Sequence, residues 1–193
     1  TMMNAKGAIY PVYELMEAHG RAFDNEAFLP AVVGYYTDTN GNMLSFPFNS
    51  STPIMYYNQD MFEEAGLDPE QPPQTWAEVA DFSRQIVDSG AASCGFTTSW
   101  PSWVMLENFS AWHNVPLGTL ENGFGGMETE LNFNNELVAR HWDNLHDWQE
   151  EGVFKWGGPG SGPDAEPMFY SQDCAIFFGS SASRADVAAN SEF

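Results

Sequence analysis

The spacing of apolar residues predicts two long amphipathic helices. The first begins at a capping box formed by Thr75 and Glu78 and ends at about Ser89. The second begins at a cap on Asn134 or Asn135 and ends at Glu151. Apolar residues recur every three or four positions, as on one face of a helix, at Trp76, Val79, Phe82 and Ile86 and at Leu137, Val138, Trp142, Leu145 and Trp148.

Short runs of β-branched and aromatic residues predict strands between and before these helices. The predicted strands lie at 32–36, 43–46, 54–57, 94–97 and 174–178. The first two flank the turn signal Asn40-Gly41 and are expected to pair as a hairpin. Shorter helices are predicted at 8–19, 58–66, 103–112 and 165–172, and another begins after Ser183. Strands that alternate with helices indicate an α/β layer architecture.

One segment interrupts this alternation with a cluster of polar residues. Asn49, Ser50, Ser51 and Thr52 stand between two strand-like runs, and Pro53 holds the backbone extended. Burying such groups is costly, so they usually serve a turn or a ligand. We interpret the segment as a strand that crosses between two lobes and presents hydroxyl groups to a ligand.

Composition excludes some classes of partner. The chain of 193 residues is 43% hydrophobic, which is enough for a buried core, and it carries 27 acidic against 6 basic residues, a net charge of −21. So few bases cannot neutralise a row of phosphates, so neither nucleic acid nor an anionic membrane surface is an expected partner. No apolar window is long enough to span a membrane. We interpret the acidity as a source of solubility.

No residue pattern points to catalysis, a cofactor or a metal. His141 and His146 are five positions apart, which puts them off register for a metal pair on one helix face. The glycine-rich run 157–162 lacks the features of a phosphate-binding loop and is expected to be a flexible surface loop. Cys94 and Cys174 are either two buried thiols or, in an exported protein, a single bridge between neighbouring strands.

Polar or aromatic residues gather at three junctions that begin or end a predicted strand. These are residues 49–52, 100–103 and 179–183. Taken singly, serines at such places cap helices and tryptophans pack in cores. In an open α/β sheet, however, ligands bind outside the carboxyl ends of the strands. Three such junctions together therefore predict a ligand-binding cleft.

Several of these segments resemble a known family. Residues 45–62 (SFPFNSSTPIMYYNQDMF) and 65–76 (AGLDPEQPPQTW) resemble the extracellular solute-binding proteins of ABC importers, in the maltose-binding-protein-like group. Residues 49–53 (NSSTP), 99–103 (SWPSW), 106–112 (LENFSAW) and 169–175 (FYSQDCA) are similar to its branch for glycerol phosphate and glycerophosphodiesters. The likeness extends over essentially the whole chain.

The resemblance implies a fold and a domain organisation. The fold is the α/β, two-lobed, type II periplasmic-binding-protein fold, in which a hinge closes the lobes on the ligand. Residues 1–50 would end the first lobe, 51–53 would cross between the lobes, and 54–193 would form most of the second lobe. We therefore expect the chain to be an internal part of a longer protein.

The resemblance also implies the ligand-binding residues. The family's ligand-binding positions fall on Ser51, Trp100, Trp103 and Ser180. The two serines would donate hydrogen bonds to phosphate or glycerol oxygens, and the two tryptophans would enclose the glycerol moiety. Ser50 and Ser181 are lesser candidates.

The implied function is transport without catalysis. The protein would capture sn-glycerol-3-phosphate or a glycerophosphodiester and deliver it to the membrane permease subunits of an ABC importer. It would act as a monomer in the periplasm, or outside the cell at the membrane if it carries a lipid anchor. One alternative is a carbohydrate-binding protein of an ABC importer, and a less favoured one is a glycerophosphodiester hydrolase.

Overall fold

A computed structural model describes residues 7–21 and 24–193. The chain divides into two compact units. Unit 1 comprises Thr1–Ser50 and Val115–Phe133, and unit 2 comprises Ser51–Asn114 and Asn134–Phe193. Residues 115–133, which the sequence interpretation included in the second lobe, thus group with the first fifty. The assignment of these stretches to lobes stays a prediction. Among the residues that the structure describes, no helix has the length and apolarity that crossing a membrane requires.

Unit 1 contains short helices joined by turns. They are α1 (Val12–Ala18), a 3-10 turn (Asn25–Ala27) and α2 (Pro30–Tyr36). The predicted strand at 32–36 is therefore wrong, because Pro30 occupies the first turn of a helix, where its fixed φ is favourable. The predicted hairpin reduces to a single bridge between Thr37 and Met43, on either side of a turn closed by the Asp38 carboxylate. Residues 119–122 form a left-handed turn.

Unit 2 is built on a four-stranded mixed sheet with the order β1-β4-β2-β3. The strands are β1 (Pro53–Tyr57), β2 (Cys94–Thr98), β3 (Phe154–Trp156) and β4 (Cys174–Ser180). β1 is antiparallel to β4, and the other pairs are parallel. The carboxyl ends of β2, β3 and β4 and the start of β1 therefore share one edge of the sheet. No strand was predicted from the sequence at the position of β3.

Helices cover both faces of this sheet. They are α3 (Gln59–Glu64), α4 (Trp76–Ser89), a π-helix (Ser102–Glu107), α5 (Asn108–Trp112), α6 (Glu136–Glu151), α7 (Ala165–Tyr170) and α8 (Arg184–Asn190). The predicted capping box at Thr75 is confirmed, and of the two residues predicted as a cap for α6 it is Asn135 whose side chain accepts from a backbone N–H. Asn58 caps α3 in the same way. A final 3-10 turn, Ser181–Ser183, joins β4 to α8.

Alternation along the strands distributes the core between the two faces. Phe96 and Ile176 point to the larger apolar cluster, which also contains residues of α4 and α6. Phe177, one position along β4 from Ile176, points to the opposite face and packs with Phe169 of α7 and Tyr56. Both faces of the sheet are therefore buried.

A disulfide joins the two central strands. Cys94 and Cys174 are paired across β2 and β4 with their Cα atoms 4.5 Å apart, and both residues are fully buried. Of the two alternatives that the sequence left open, the structure has the bridge. Disulfides persist mainly in oxidising compartments.

Candidate ligand site at the edge of the sheet

A cavity of about 370 Å³ opens at the edge where β2 and β4 end and β1 begins. All four leading site residues predicted from the sequence line it, together with two further residues of the predicted junction 179–183 and one residue beyond it. The lining residues are Ser51, Trp100, Trp103, Ser180, Ala182, Ser183 and Asp186. All of them belong to unit 2, so the cavity lies within a single unit.

The strand order explains why residues so distant in sequence meet. β1 and β2 are both neighbours of β4, and Pro53 is paired with Ser180 in the register of β1 and β4. Ser51 lies two residues before the start of β1, and Trp100 lies two residues after the end of β2. Between β2 and Trp100, the Ser99 N–H donates to the Phe178 carbonyl and so continues the pairing of β2 with β4. The three segments consequently leave the sheet side by side, as expected at the carboxyl ends of strands in α/β proteins.

Two hydrogen bonds hold Thr52 against Ser181, the residue that follows β4. The Thr52 N–H donates to the Ser181 hydroxyl at 3.1 Å, and the Ser181 N–H donates to the Thr52 carbonyl at 2.9 Å. Ser181 thus contacts Thr52 and is not among the lining residues. Ser50 is exposed and falls in unit 1. Any ligand contact by Ser50 or Ser181 stays a prediction.

Ser180 is held by two hydrogen bonds that leave its hydroxyl proton for another acceptor. Its Oγ accepts from the Ala182 N–H at 3.0 Å, and its carbonyl accepts from the Tyr56 hydroxyl at 2.8 Å. Burial, followed by the charge of Glu166, raises the pKa of Tyr56, so this phenol is a donor at neutral pH. A serine hydroxyl has one proton and two lone pairs. Ser180, which is 9% exposed, can therefore still donate into the cavity.

Trp100 has a backbone conformation that is rare for a bulky residue. Its φ is +47°, in the left-handed region, and its side chain is 50% exposed. Its N–H donates to the Ser161 carbonyl at 2.8 Å, and its carbonyl accepts from Trp103 and Val104 at 2.9 and 2.8 Å. Strained conformations persist only where the surroundings enforce them, and they concentrate at functional sites.

Trp103 lies in a π-helix, Ser102–Glu107, where the sequence predicted a regular helix. π-Helical turns are rare and occur frequently at functional sites, because the wider turn redirects side chains. Trp103 is half-buried and packs against the larger apolar cluster. The Trp103 indole is therefore anchored in the core, whereas the Trp100 indole is exposed.

The glycine-rich run supports Trp100, which corrects the prediction of a flexible surface loop. Gly157, Gly158 and Gly162 are buried, and Ser161 accepts the hydrogen bond from Trp100. A Cβ atom on Gly157 would stand 2.6 Å from the Thr98 carbonyl oxygen and 2.5 Å from the Ala165 Cβ. Glycine is needed here because the loop packs directly on the end of β2.

Replacing Gly157 by alanine is accordingly expected to destabilise unit 2 by about 2 kcal/mol, the usual scale of overpacking in a tight site. The clash is with a backbone oxygen and with a helical Cβ, neither of which can rotate away. Denaturant unfolding followed by tryptophan fluorescence measures the effect. An unfolding midpoint equal to that of the wild type would show that the loop is not packed as described.

The cavity contains a charge that the sequence interpretation missed. Asp186 is the charged residue among those lining the cavity, and no lysine or arginine is among them. It lies in the first turn of α8, just after the serine-rich junction. Its position just after the serine-rich junction was the sequence signal for a place in the cavity. With 27 acidic residues in the chain, however, it could not be told apart from acidic residues on the surface. Among the described residues, no group of three potential metal ligands occurs.

The sequence was compared with known proteins. Residues 1–192 match the family described as bacterial extracellular solute-binding protein. The chain belongs to this family. It is 46% identical over 188 residues to the sn-glycerol-3-phosphate-binding periplasmic protein UgpB of Rhizobium meliloti (strain 1021), covering 97% of this chain and 43% of that protein. It is 44% identical over 194 residues to the protein of the same name from Pectobacterium atrosepticum, covering 100% and 43%. The chain thus spans less than half the length of these relatives.

Solved structures share the fold. UgpB from Mycobacterium tuberculosis, in complex with glycerophosphocholine, superposes with a TM-score of 0.74 at 19% identity, over 100% of this chain and 47% of that one. Maltose-bound MalE3 from T. maritima gives 0.66 at 15% identity, over 89% and 42%. The prediction of the α/β fold of two-lobed periplasmic binding proteins is confirmed, and the chain corresponds to part of that fold.

Proposed function

We propose that the chain is part of the substrate-binding component of an ABC importer that captures sn-glycerol-3-phosphate or a glycerophosphodiester. The observation that carries the proposal is the meeting of Ser51, Trp100, Trp103 and Ser180 around one cavity. The chain's relatives at 44–46% identity are named for binding sn-glycerol-3-phosphate, which supports the choice of ligand. The captured ligand would pass to the membrane permease subunits of the importer.

The cavity residues suit a small polar ligand. Ser51 and Ser180 would donate hydrogen bonds to ligand oxygens, and the two indoles would cover its carbon atoms and exclude water. The chain would supply this wall of the cleft, and residues beyond it would supply the facing wall. The protein would bind as a monomer, because the capture of a small molecule between lobes requires no second copy.

Two properties of the chain support a location outside the cytoplasm. The buried disulfide between Cys94 and Cys174 is typical of proteins that fold in the periplasm or outside the cell. The relatives are described as periplasmic. The protein would act in the periplasm, or at the outer side of the membrane if it is lipid-anchored.

A carbohydrate ligand is the second candidate. Exposed tryptophan faces with nearby hydroxyl groups also suit sugar rings, and Trp100 and Ser51 present both at the cavity. The hydrolase alternative has less support, because the relatives are named as binding proteins. We therefore propose a binding role without catalysis.

Calorimetric titration of the full-length protein tests these candidates together. Heat of binding with sn-glycerol-3-phosphate or glycerophosphocholine, and none with maltose, is the expected result. Saturable binding of maltose alone would favour the carbohydrate alternative. In parallel, incubation with glycerophosphocholine followed by an assay for free choline separates the binder from a hydrolase, since a binder releases none.

A further inference from the structure

The segment that follows β4 supplies most of the cavity wall. Four of the seven lining residues come from the end of β4, the 3-10 turn after it and the first turn of α8: Ser180, Ala182, Ser183 and Asp186. We call residues 180–183 the β4 junction. A 3-10 turn is short and its internal hydrogen bonds have poor geometry. The conformation of this wall therefore depends on contacts with neighbouring elements.

A carboxylate of α7 holds the last residue of the β4 junction. Glu166 accepts a hydrogen bond from the Ser183 hydroxyl at 2.5 Å and one from the Tyr170 hydroxyl at 3.3 Å. The first distance is in the short range that is typical of a hydroxyl bound to a carboxylate. Ser183 is only 9% exposed, whereas Glu166 is half-buried and is not among the lining residues. Glu166 thus holds a residue of the wall without lining the cavity itself.

The charge of Glu166 also acts on two tyrosines near the β4 junction. Burial, followed by this charge, raises the pKa of Tyr170 to about 12, and the same two causes raise the pKa of Tyr56. Both phenols are therefore hydrogen-bond donors at neutral pH. Tyr56 donates to the Ser180 carbonyl at 2.8 Å. The β4 junction is consequently held at its first residue by Tyr56 and at its last residue by Glu166.

We propose that Glu166 is a positioning residue, which holds the Ser183 hydroxyl and so keeps the β4 junction in the conformation that forms the cavity wall. The effect on ligand affinity rests on the proposed function, whereas the hold on the junction does not. Without this acceptor the Ser183 hydroxyl loses its partner and the turn becomes mobile. Ligand binding then has to order the wall, and ordering a loop on binding lowers the affinity.

Variants of Glu166 separate its hydrogen bond from its charge. Glu166→Ala and Glu166→Gln each remove one negative charge, but glutamine keeps an oxygen that can accept from Ser183. In the full-length protein, Glu166→Ala is expected to weaken glycerophosphocholine by about three- to tenfold, the effect of losing one hydrogen bond. Glu166→Gln is expected to stay close to the wild type. The control Tyr170→Phe removes the other donor to the same carboxylate and is expected to leave the affinity unchanged.

Amide hydrogen exchange of the ligand-free protein measures the β4 junction directly. Its reporters are the Ser181 N–H, which donates to the Thr52 carbonyl, and the Ala182 N–H, which donates to Ser180 Oγ. Both are expected to exchange faster in Glu166→Ala than in the wild type or in Glu166→Gln, because the turn opens locally. Exchange in β2 is expected to stay the same, which distinguishes local opening from a general loss of stability.

The outcomes separate this inference from the proposed function. Unchanged exchange at the β4 junction in Glu166→Ala overturns the positioning role, whether or not a ligand binds. Faster exchange with unchanged affinity overturns the effect on binding and leaves the proposed function standing. Equal losses of affinity in Glu166→Ala and Glu166→Gln assign the effect to charge and likewise overturn the inference. A wild type that binds no phosphate compound contradicts the proposed function, and the exchange comparison then decides whether Glu166 holds the junction.

Discussion

Replacing both Cys94 and Cys174 by alanine is expected to lower the free energy of unfolding of unit 2 by about 2–4 kcal/mol. The bridge joins residues 80 positions apart, and a cross-link over so long a loop removes many conformations from the unfolded chain. Both cysteines are also fully buried at facing positions of the two central strands. Loss of the cross-link therefore weakens the sheet on which the cavity is built.

Urea unfolding followed by tryptophan fluorescence measures this change. All seven tryptophans lie in unit 2, so the signal reports that unit. The wild type unfolded in the presence of a reductant is the control, because it loses the bridge but keeps both sulfur atoms. We expect the reduced wild type to lie close to the double variant. A double variant as stable as the oxidised wild type would contradict the bridge.

Acidification from pH 7 to pH 4 is expected to cost unit 2 about 3 kcal/mol through His141 alone. Burial, followed by the charge of His113, lowers the pKa of His141 from 6.5 to about 4. Between these values the unfolded chain binds a proton that the folded chain does not, so the stability falls as the pH decreases through this window. The imidazole is stacked on Phe109 with ring centroids 3.8 Å apart and lies next to Trp76, and no described residue makes a hydrogen bond to its buried Nε2.

The substitution His141→Phe isolates this contribution, since it keeps a ring in the stack and removes the titrating group. Urea unfolding at several pH values should show that the wild type loses about 3 kcal/mol more than the variant between pH 7 and pH 4. His146→Gln, at an exposed position of the same helix, should follow the wild type. Parallel pH profiles for the wild type and His141→Phe would contradict the account.

Elements whose start or end is set by residues within one helical turn could be predicted from the sequence. Elements that depend on contacts between residues far apart in the chain could not. The start of α4 depends on Thr75 and Glu78, which lie within one turn of each other, and its prediction is confirmed. The segment at 32–36 has the β-branched and aromatic residues of a strand, but Pro30 begins a helix there. Propensity summed over a few residues is a weak guide when a single residue fixes the backbone.

The details of the cavity depend on contacts between segments far apart in sequence. Trp100 is held in its left-handed conformation through Ser161, and Gly157 is required by the carbonyl of Thr98. Neither contact leaves a periodic pattern in the sequence, so neither could be predicted from it. The four leading site residues were predicted from the family resemblance, and the strand order supplies the physical reason why they meet. Asp186 lies beyond that resemblance and is identified by its position in the cavity.

The central claim is that the cavity lined by Ser51, Trp100, Trp103 and Ser180 binds the ligand. Calorimetric titration of the full-length protein with glycerophosphocholine, comparing the wild type with Trp103→Ala and Trp100→Ala, tests it most directly. Trp112→Ala, an 81% exposed tryptophan outside the cavity, is the matched control. Thermal melting of each sample detects unfolding, and the exposed Trp100 allows the test even if Trp103→Ala weakens the core. The account predicts at least about a tenfold loss of affinity for both cavity variants and none for the control. Unchanged affinity in folded Trp100→Ala and Trp103→Ala would contradict it.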